Sequence, residues 1–455
     1  MWNGYKVVDA DAHMHEPQDM WEKYVEPNYR PQAPKVAYMN GTFMVYEPDG
    51  KIITKDEKQV KGPPQQSFRI MEEKYGEAFR TWWAPETRIK DMDRYGWDIQ
   101  VLLPTGSNGN FGCSVALKDA DLGAALCRAY NNWAHDYCSV DSKRLKFIAV
   151  VPGADVNAIV KEAKRAVETL GAVSIRNPLL PEGKWLHERE YDALWQLACD
   201  LDFPIAVHGE YRYRVQPFRG FRVVEQSGSG SDGVHDFQAL RGVDHALGFP
   251  CDNMATLGHF IFTGILERFP KLRLAILESN AGWLPFWLGR MDVHSHGRYS
   301  IMGKPKNISM LPSEYFIRQC AASCDSDESA LAYAVDRLKG DCIVWNTDYP
   351  HLDGIEPAKA LPEFYAQPIA DEAKRKILWD NAGQISKNAA DRGIGGASQQ
   401  RSATSPPYHN LAAASFSSSV ASRPGLGPRL LCASVYGAKF TRWTSFMEES
   451  RLVMW

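Results

Sequence analysis

The sequence predicts an α/β protein built on a (β/α)8 barrel, the TIM-barrel fold, and two observations lead to this prediction. Short apolar runs alternate with longer segments of helical periodicity about eight times along the chain, which indicates helices packed around a parallel sheet. Several of these runs are continuously hydrophobic, as expected for parallel strands buried on both faces. An open doubly wound sheet has the same alternation, but no glycine-rich turn follows the first predicted strand to indicate a nucleotide site.

Eight apolar runs are predicted to form the barrel strands, at residues 6–10, 99–103, 145–151, 172–175, 204–207, 272–277, 315–321 and 342–345. Helices are predicted between and after them, at residues 118–140, 155–170, 187–201, 253–269, 327–338 and 371–390. Asp155 and Asp327 begin two of these helices, where an aspartate side chain can accept a hydrogen bond from a free backbone N–H group. Both residues are therefore predicted to be N-caps.

Two segments interrupt the alternation. Residues 30–85 are polar and proline-rich, and they are predicted to be an insertion after the first strand that covers the barrel mouth. This insertion contains "FMVYEPDGKII", a hairpin signal with Asp49 and Gly50 in the turn. Residues 210–250 form a long loop that contains "SGSGSDG", and such a loop is either a lid over a site or a segment without a role.

The domain organisation follows from composition. The barrel and its insertion are predicted to occupy residues 1–392. From residue 393 the chain is rich in Ser, Ala, Pro and Gly, and this composition buries too little apolar surface to fold. Residues 393–455 are therefore predicted to be a disordered, low-complexity tail.

Charge and cysteine content exclude several classes of protein. The chain has 52 basic and 55 acidic residues, a net charge of -3 and no block of like charge, which argues against nucleic-acid binding. It lacks both an apolar run of about 18 residues, the length of a membrane-spanning helix, and the pattern of a signal peptide. Its nine cysteines are scattered, which favours neither a disulfide framework nor a zinc ribbon. We expect a cytoplasmic enzyme that acts on a small molecule.

Potential metal ligands stand at the ends of four predicted strands. In a barrel, the C-terminal ends of the strands form the active-site face. The residues at these ends are Asp11, His13, His15, His208, Glu278 and Asp348. A single residue of this kind has ordinary alternatives: Asp348 could cap a helix, and Glu278 could pair with Arg290. Their occurrence together predicts a divalent metal site, because imidazole and carboxylate are the natural ligands of zinc, manganese and iron.

Four motifs resemble the amidohydrolase-related family, which includes aminocarboxymuconate semialdehyde and resorcylate-type decarboxylases. They are "DADAHMHEP", "VHGE", "ILERFPKLRLAILESNAGWLPFWLGRMD" and "NTDYPH", within a resemblance that spans residues 5–390. The resemblance implies a metal-dependent barrel enzyme, often a homodimer, with zinc as the expected metal and manganese or iron as alternatives. It also implies that His13, His15, His208 and Asp348 are the metal ligands.

Two departures from the family pattern bear on the number of metals. Arg176 occupies the place where dinuclear members carry a bridging lysine or glutamate, which favours one metal. Ser279 stands where the decarboxylases have a catalytic histidine, with Glu278 beside it and His259 on the preceding helix. If Glu278 and His259 meet, they could hold a second metal or relay a proton.

The leading hypothesis is a lyase (a non-oxidative decarboxylase) or a hydrolase that acts on a small carboxylate-bearing aromatic or unsaturated substrate. Asp348, Glu278 and His259 are the candidate catalytic residues. Arg176, Arg212 and Arg214 are candidates for binding the substrate carboxylate, because guanidinium matches its planar geometry. One alternative is a dinuclear-metal monooxygenase with Asp11, His259 and Glu278 as additional ligands. A second is a non-catalytic metal-binding subunit of a hetero-oligomer.

Overall fold

The computed structural model describes residues 2–39, 42–46, 66–105, 110–209, 237–297 and 303–384. All of them belong to one compact unit. The predicted tail, residues 393–455, lies outside the described residues, as do Arg212 and Arg214.

Eight parallel strands form the central sheet, in the order β1-β4-β5-β6-β7-β8-β9-β10. The described strands are β1 (Val8–Met14), β2 (Lys35–Met39), β3 (Thr42–Tyr46), β4 (Ile99–Pro104), β5 (Leu145–Ala149), β6 (Ser174–Arg176), β7 (Ile205–His208), β8 (Leu274–Leu277), β9 (Cys320–Cys324) and β10 (Ile343–Trp345). Just beyond β10, the backbone N–H of Asp348 donates to Asp11 O at 3.0 Å, and that of His13 donates to Tyr349 O at 2.7 Å. These bonds bring the last strand back against the first, so the predicted (β/α)8 barrel is confirmed.

Helices surround this sheet. They are α1 (Met20–Tyr24), α2 (Gln66–Tyr75), α3 (Glu77–Arg80), α4 (Pro85–Tyr95), α5 (Phe111–Ala116), α6 (Ala120–Ser139), α7 (Val156–Glu168), α8 (Asp192–Leu201), α9 (Phe237–Phe262), α10 (Ile265–Arg268), α11 (Leu284–Ser295), α12 (Pro312–Gln319), α13 (Leu331–Leu338), α14 (Pro357–Ala366) and α15 (Asp371–Leu378). Within the described residues, no helix is both long enough and apolar enough to cross a membrane.

A β-bulge in β1 changes which side chains face the barrel interior. Val8 and Ala10 pack with the small interior cluster, whereas Ala12 and Met14 pack with the outer layer beneath the helices. The pairing with β4 shifts by one residue between Asp9 and Ala12, and one extra residue reverses the alternation of a strand. The bulge therefore directs His13 to the interior side, which Val8 and Ala10 occupy lower in the strand.

The seventh barrel strand was predicted at residues 315–321, which is too early in the sequence. Most of the apolar run 315–321 lies in α12, and the strand is β9, which follows directly. Pro312 occupies the first turn of α12, and the Glu314 side chain accepts a hydrogen bond from the backbone N–H of Leu311 at 2.8 Å. These are helix-start signals, and the apolar side chains after them are the buried face of a helix.

One of the two predicted N-caps is confirmed. The Asp155 side chain accepts a hydrogen bond from the backbone N–H of Ala158 at 2.9 Å, and α7 begins at the next residue. The prediction for Asp327 is wrong, because α13 begins at Leu331 with Ala330 at its N-cap position. A turn separates Asp327 from the helix.

The two interrupting segments are described in part. In the insertion, β2 and β3 pair antiparallel from Lys35↔Tyr46 to Met39↔Thr42. The turn predicted at Asp49-Gly50 lies outside the described residues. The segment predicted as a loop to residue 250 becomes helical at Phe237, and α9 continues through Pro250, although proline usually ends a helix.

Candidate metal and active site

Two overlapping groups of side chains at the C-terminal ends of the barrel strands are close enough to hold a metal ion. One group is Asp11, His13 and His208, and the other is His13, Asp348 and His351. In each group the potential ligand atoms lie within 4.8 Å of one another. The strands β1 and β7 and the loop after β10 therefore bring together residues that are far apart in the sequence.

His13 is common to both groups, and its ring is held in a defined orientation. Its Nδ1 lies 3.0 Å from the backbone carbonyl of Pro104. This leaves Nε2 facing the carboxylates, 3.5 Å from Asp11 Oδ1 and 3.1 Å from Asp348 Oδ1. A ring nitrogen that donates to a carbonyl while the other faces a ligand site is the usual arrangement of a metal-binding histidine.

His208 and His351 complete the cluster from opposite sides. His208 Nε2 lies 2.9 Å from Glu278 Oε2, and its Nδ1 lies 2.9 Å from the carbonyl of Gly209. His351 Nδ1 lies 2.9 Å from Asp348 Oδ1, and its ring stacks on that of His13 at 4.0 Å. Glu278, predicted from sequence to stand near the site, therefore lies beside His208.

The potential ligand atoms are buried, and the polar atoms that they face are those of one another. Within the described residues, those of the cluster that lack a partner of acceptable geometry are both carboxylate oxygens of Asp11, Nε2 of His13 and of His208, Oε2 of Glu278 and Oδ1 of Asp348. Buried polar atoms in folded proteins are almost always paired, and a group of unpaired ones indicates an ion or another bound species. The donor set, imidazole nitrogen and carboxylate oxygen, fits a divalent transition metal.

The electrostatics of the cluster also favour a cation. Burial disfavours the charged form of His13, but the carboxylates of Asp11 and Asp348 outweigh burial and raise its pKa. Burial likewise works to raise the pKa of Asp348, yet His351 and His13 hold it well below its usual range. Burial raises the pKa of Glu278 and lowers that of His208 to about 3. Positive charge is thus strongly favoured among these carboxylates.

Residues that follow β8 and β10 have an uncommon backbone conformation. Glu278, Asn280 and Asp348 have φ angles of 52°, 60° and 55°. Residues with side chains rarely adopt positive φ, and such strained positions cluster at functional sites. The two strand ends that carry the predicted catalytic carboxylates are therefore also the strained ones.

A buried polar network supports β1 beneath the cluster. Asp9 accepts hydrogen bonds from Thr347 Oγ1 at 2.6 Å and from Gln100 Nε2 at 2.9 Å. Gln100 Oε1 accepts from Arg88 at 3.1 Å, and Arg88 also donates to the carbonyl of His13. This network ties the ends of β1, β4 and β10 together under the potential ligands.

The structure gives His259 different neighbours from those expected. Its Nε2 lies 3.2 Å from Nδ1 of His187, and its ring stacks on Trp185 at 5.9 Å. Asn253, on the same helix, donates a hydrogen bond to the carbonyl of Leu277 at the end of β8. His259 follows Asn253 by six residues, which corresponds to about 9 Å along the helix axis. The contacts described for the ring of His259 are thus with His187 and Trp185, and they give no support to the condition that His259 meets Glu278.

His15 and Arg176 occupy the edges of the site. The His15 ring stacks on Trp83 at 4.2 Å, and His15 belongs to neither group of potential ligands. Arg176 is buried at the end of β6; burial lowers the pKa of its guanidinium, while nearby groups, Glu278 and Asp11 among them, act in the opposite direction. Arg176 thus stands close to the carboxylate cluster.

A cavity of about 190 Å³ opens beside Glu278 and Asp348, at the ends of β8, β9 and β10. Phe249, Pro250 and Ile355 contribute apolar surface, and Asp325 is a further acidic residue in the lining. Among the described residues that line the cavity, none is a lysine or an arginine. This side of the site therefore disfavours a second substrate carboxylate.

Sequence reasoning noted His351 at the end of the eighth strand without assigning it a role, and it missed Arg88 and Gln100. His351 follows Asp348 by three residues in "NTDYPH", and this short spacing was the available signal. Arg88 and Gln100 had no comparable signal, because neither stands after a predicted strand. Their place in the network is visible only once β1, β4 and α4 are packed together.

The fold and site define an enzyme of the barrel class, with its polar residues collected at the C-terminal ends of the strands. The chain belongs to the amidohydrolase family, whose model matches residues 9–385.

Curated relatives of this chain are decarboxylases. The 2-amino-3-carboxymuconate-6-semialdehyde decarboxylase of Dictyostelium discoideum is 22% identical over 301 residues, which cover 66% of this chain and 76% of the relative. The decarboxylase orsB of Emericella nidulans is 30% identical over 210 residues, or 45% and 55% of the two chains.

A solved structure shares the fold. The 5-carboxyvanillate decarboxylase of Novosphingobium aromaticivorans, complexed with manganese and 4-hydroxy-3-methoxy-5-nitrobenzoic acid, superimposes with a TM-score of 0.54. It is 18% identical, and the match covers 84% of this chain and 96% of that one.

Proposed function

We propose that this enzyme is a non-oxidative decarboxylase of a small aromatic or unsaturated carboxylic acid, with one divalent metal ion at the barrel mouth. The observation that carries the proposal is the set of buried, unpaired imidazole and carboxylate atoms at the ends of β1, β7, β8 and β10. Decarboxylase relatives support this reaction, and they do not favour the monooxygenase or the non-catalytic subunit.

The proposed metal ligands are Asp11, His13, His208 and Asp348, each of which belongs to one of the two groups that share His13. His15, expected as a ligand from the family resemblance, lies outside both groups, and His351 offers a further nitrogen. One ion is favoured because both groups share the Nε2 lone pair of His13, which can bind a single metal. Manganese in the structural neighbour supports a divalent ion; zinc remains our first expectation.

The residues of this chain have separable roles in the reaction. When bound, a divalent ion supplies Lewis acidity that stabilises negative charge on a substrate oxygen. Arg176 binds the substrate carboxylate as a buried, planar cation. When the C–C bond breaks, carbon dioxide leaves and the electron pair that remains on carbon takes up a proton. Glu278 is a candidate proton donor because burial raises its pKa. Asp348 is the other candidate, but His351 and His13 lower its pKa, so it would return to carbon only a proton that it had first accepted.

A direct assay tests the reaction. The metal-loaded enzyme is incubated with a panel of aromatic and unsaturated carboxylic acids that includes 5-carboxyvanillate, and carbon dioxide release is measured. We expect release with at least one acid, and loss of release after chelation or in Asp348→Asn. Consumption of dioxygen would support the monooxygenase instead, and hydrolysis of an amide or ester without carbon dioxide would support the hydrolase.

A homodimer and a cytoplasmic location remain predictions from the sequence. Light scattering on the purified full chain tests the first, with a dimer mass expected.

A further inference from the structure

Two consecutive residues of the insertion bind the loop that follows β10. Lys74 and Tyr75 are the last residues of α2. The hydroxyl of Tyr75 donates to the carbonyl of His351 at 2.6 Å. Lys74 Nζ donates to the carbonyls of Leu352 and Gly354, at 3.1 Å and 2.5 Å. The main chain that carries His351 is therefore anchored from outside the barrel.

The same part of the insertion packs against the end of β1. Trp83 stacks on His15, and Trp82 Nε1 donates to the carbonyl of Glu16 at 3.1 Å. The Tyr75 ring bridges the two sides, since it packs edge-on against Trp83 at 5.4 Å and against Tyr349 at 5.5 Å. One aromatic cluster thus contacts two of the strand ends that supply potential ligands, those of β1 and β10.

The tryptophans are held in a strained conformation that is linked to the site. Trp82 and Trp83 have φ angles of 54° and 48°, and such strain persists only where the surroundings enforce it. Trp83 is fully buried, and its carbonyl accepts a hydrogen bond from the hydroxyl of Tyr137. Tyr137 in turn accepts from Arg88, which donates to the carbonyl of His13. The conformation of the insertion is therefore coupled to the β1 backbone.

We propose that Lys74 and Tyr75 are positioning residues for the metal site. They hold the main chain of residues 351–354 so that Asp348 and His351 face His13, and they thereby set the affinity for the divalent ion. This inference rests on the proposed function for its metal, but its anchoring contacts are observed independently. Outer contacts of this kind typically change metal affinity or activity by about 10–100-fold.

Metal affinity in four variants tests the proposal. Tyr75→Phe removes one hydroxyl, Lys74→Met removes the ammonium group, and Lys74→Arg keeps a donor. Lys90→Met is the matched control, because the Lys90 ammonium group forms an exposed ion pair with Glu77 at 3.1 Å. Zinc and manganese dissociation constants are measured by competition with a chromophoric chelator. We expect about 10-fold weaker binding for Tyr75→Phe and Lys74→Met, and values close to wild type for Lys74→Arg and Lys90→Met.

Hydrogen–deuterium exchange of the metal-free full chain provides the second readout. In Tyr75→Phe and Lys74→Met, we expect faster exchange in residues 348–355 and unchanged exchange in β5 and β6. Unchanged metal affinity in both variants, or faster exchange throughout the barrel, would overturn the positioning role. A wild-type chain that binds no metal would contradict the proposed function, and exchange in residues 348–355 would then decide the positioning role by itself.

Discussion

At the residue scale, the site depends on which buried groups carry charge. His13 lies between Asp11 and Asp348, and their carboxylates raise its pKa despite burial. Arg176 brings a buried guanidinium to the same region, where Glu278 and Asp11 act on it. The cavity beside Glu278 and Asp348 has an acidic lining, and Arg176 is not among the residues that line it. A substrate carboxylate is therefore expected to bind on the Arg176 side of the site.

Replacing Arg176 tests this orientation. Arg176→Gln should raise KM for the carboxylate substrate by about 10–100-fold, since a charge-assisted hydrogen bond contributes roughly 1.5–3 kcal/mol, and should leave the metal content unchanged. Steady-state kinetics with metal analysis of the same sample make the measurement. A variant with unchanged KM would place the carboxylate elsewhere.

The pH dependence of stability tests the raised pKa of Glu328, a buried acid outside the proposed ligand set. Burial raises the pKa of Glu328 from 4.5 to about 7, although the backbone N–H groups of Ala281 and Gly282 donate to its carboxylate. The folded protein therefore binds an extra proton between these values, and its stability falls as pH rises from 4.5 to 7. Glu328→Gln should remove this contribution, on the order of 2–3 kcal/mol. Urea unfolding of the wild type and of Glu328→Gln at pH 5 and pH 7 measures this contribution. The same change in the free energy of unfolding between the two pH values in both proteins would contradict the raised pKa of Glu328.

The residues found from sequence alone share one property. Asp11, His13, His208, Glu278 and Asp348 stand at strand ends, where the fold class itself fixes the direction in which side chains gather. His259 was considered for its place on a helix and not at a strand end, and the structure puts it beside His187 and Trp185. His351 depends on the path of a loop, which periodicity does not describe.

At the element scale, the bounds of strands and helices were predicted correctly only in part, and local sequence signals explain the difference. The bulge in β1 has no signature in the sequence, yet it sets the direction of His13. The start of α12 did have a signature, in Pro312 and Glu314, and the apolar residues after it were mistaken for a strand. Asp155 and Asp327 present the same sequence signal, but only Asp155 is followed directly by its helix.

These two aspartates form a matched pair for a stability measurement. Asp155→Ala removes an N-cap hydrogen bond and should lower the free energy of unfolding by about 1 kcal/mol. Asp327→Ala removes an exposed side chain that caps no helix, so it should change stability by less than about 0.5 kcal/mol. Urea denaturation of the two variants compares them directly. Equal losses would mean that Asp327 stabilises the chain in a way the structure does not show.

At the scale of the whole molecule, the barrel and the insertion both contribute residues that position the site. The barrel places the ends of β1, β6, β7, β8 and β10 around one point, as the alternating apolar runs predicted. The insertion then contacts the β1 end through Trp82 and Trp83 and the β10 loop through Lys74 and Tyr75. The polar, proline-rich composition of residues 30–85 predicted an insertion that covers the barrel mouth, but these contacts required the packed structure.

Metal stoichiometry tests the central claim most directly. The full chain is expressed with zinc and manganese, dialysed, and analysed by plasma mass spectrometry beside His208→Ala and His259→Ala. These variants each remove one histidine, but only His208 belongs to a group of potential ligands. We predict about one divalent ion per chain in the wild type and in His259→Ala, because one Nε2 lone pair of His13 serves both groups, and little metal in His208→Ala. A wild-type chain without metal, or equal metal in the two variants, would contradict the account.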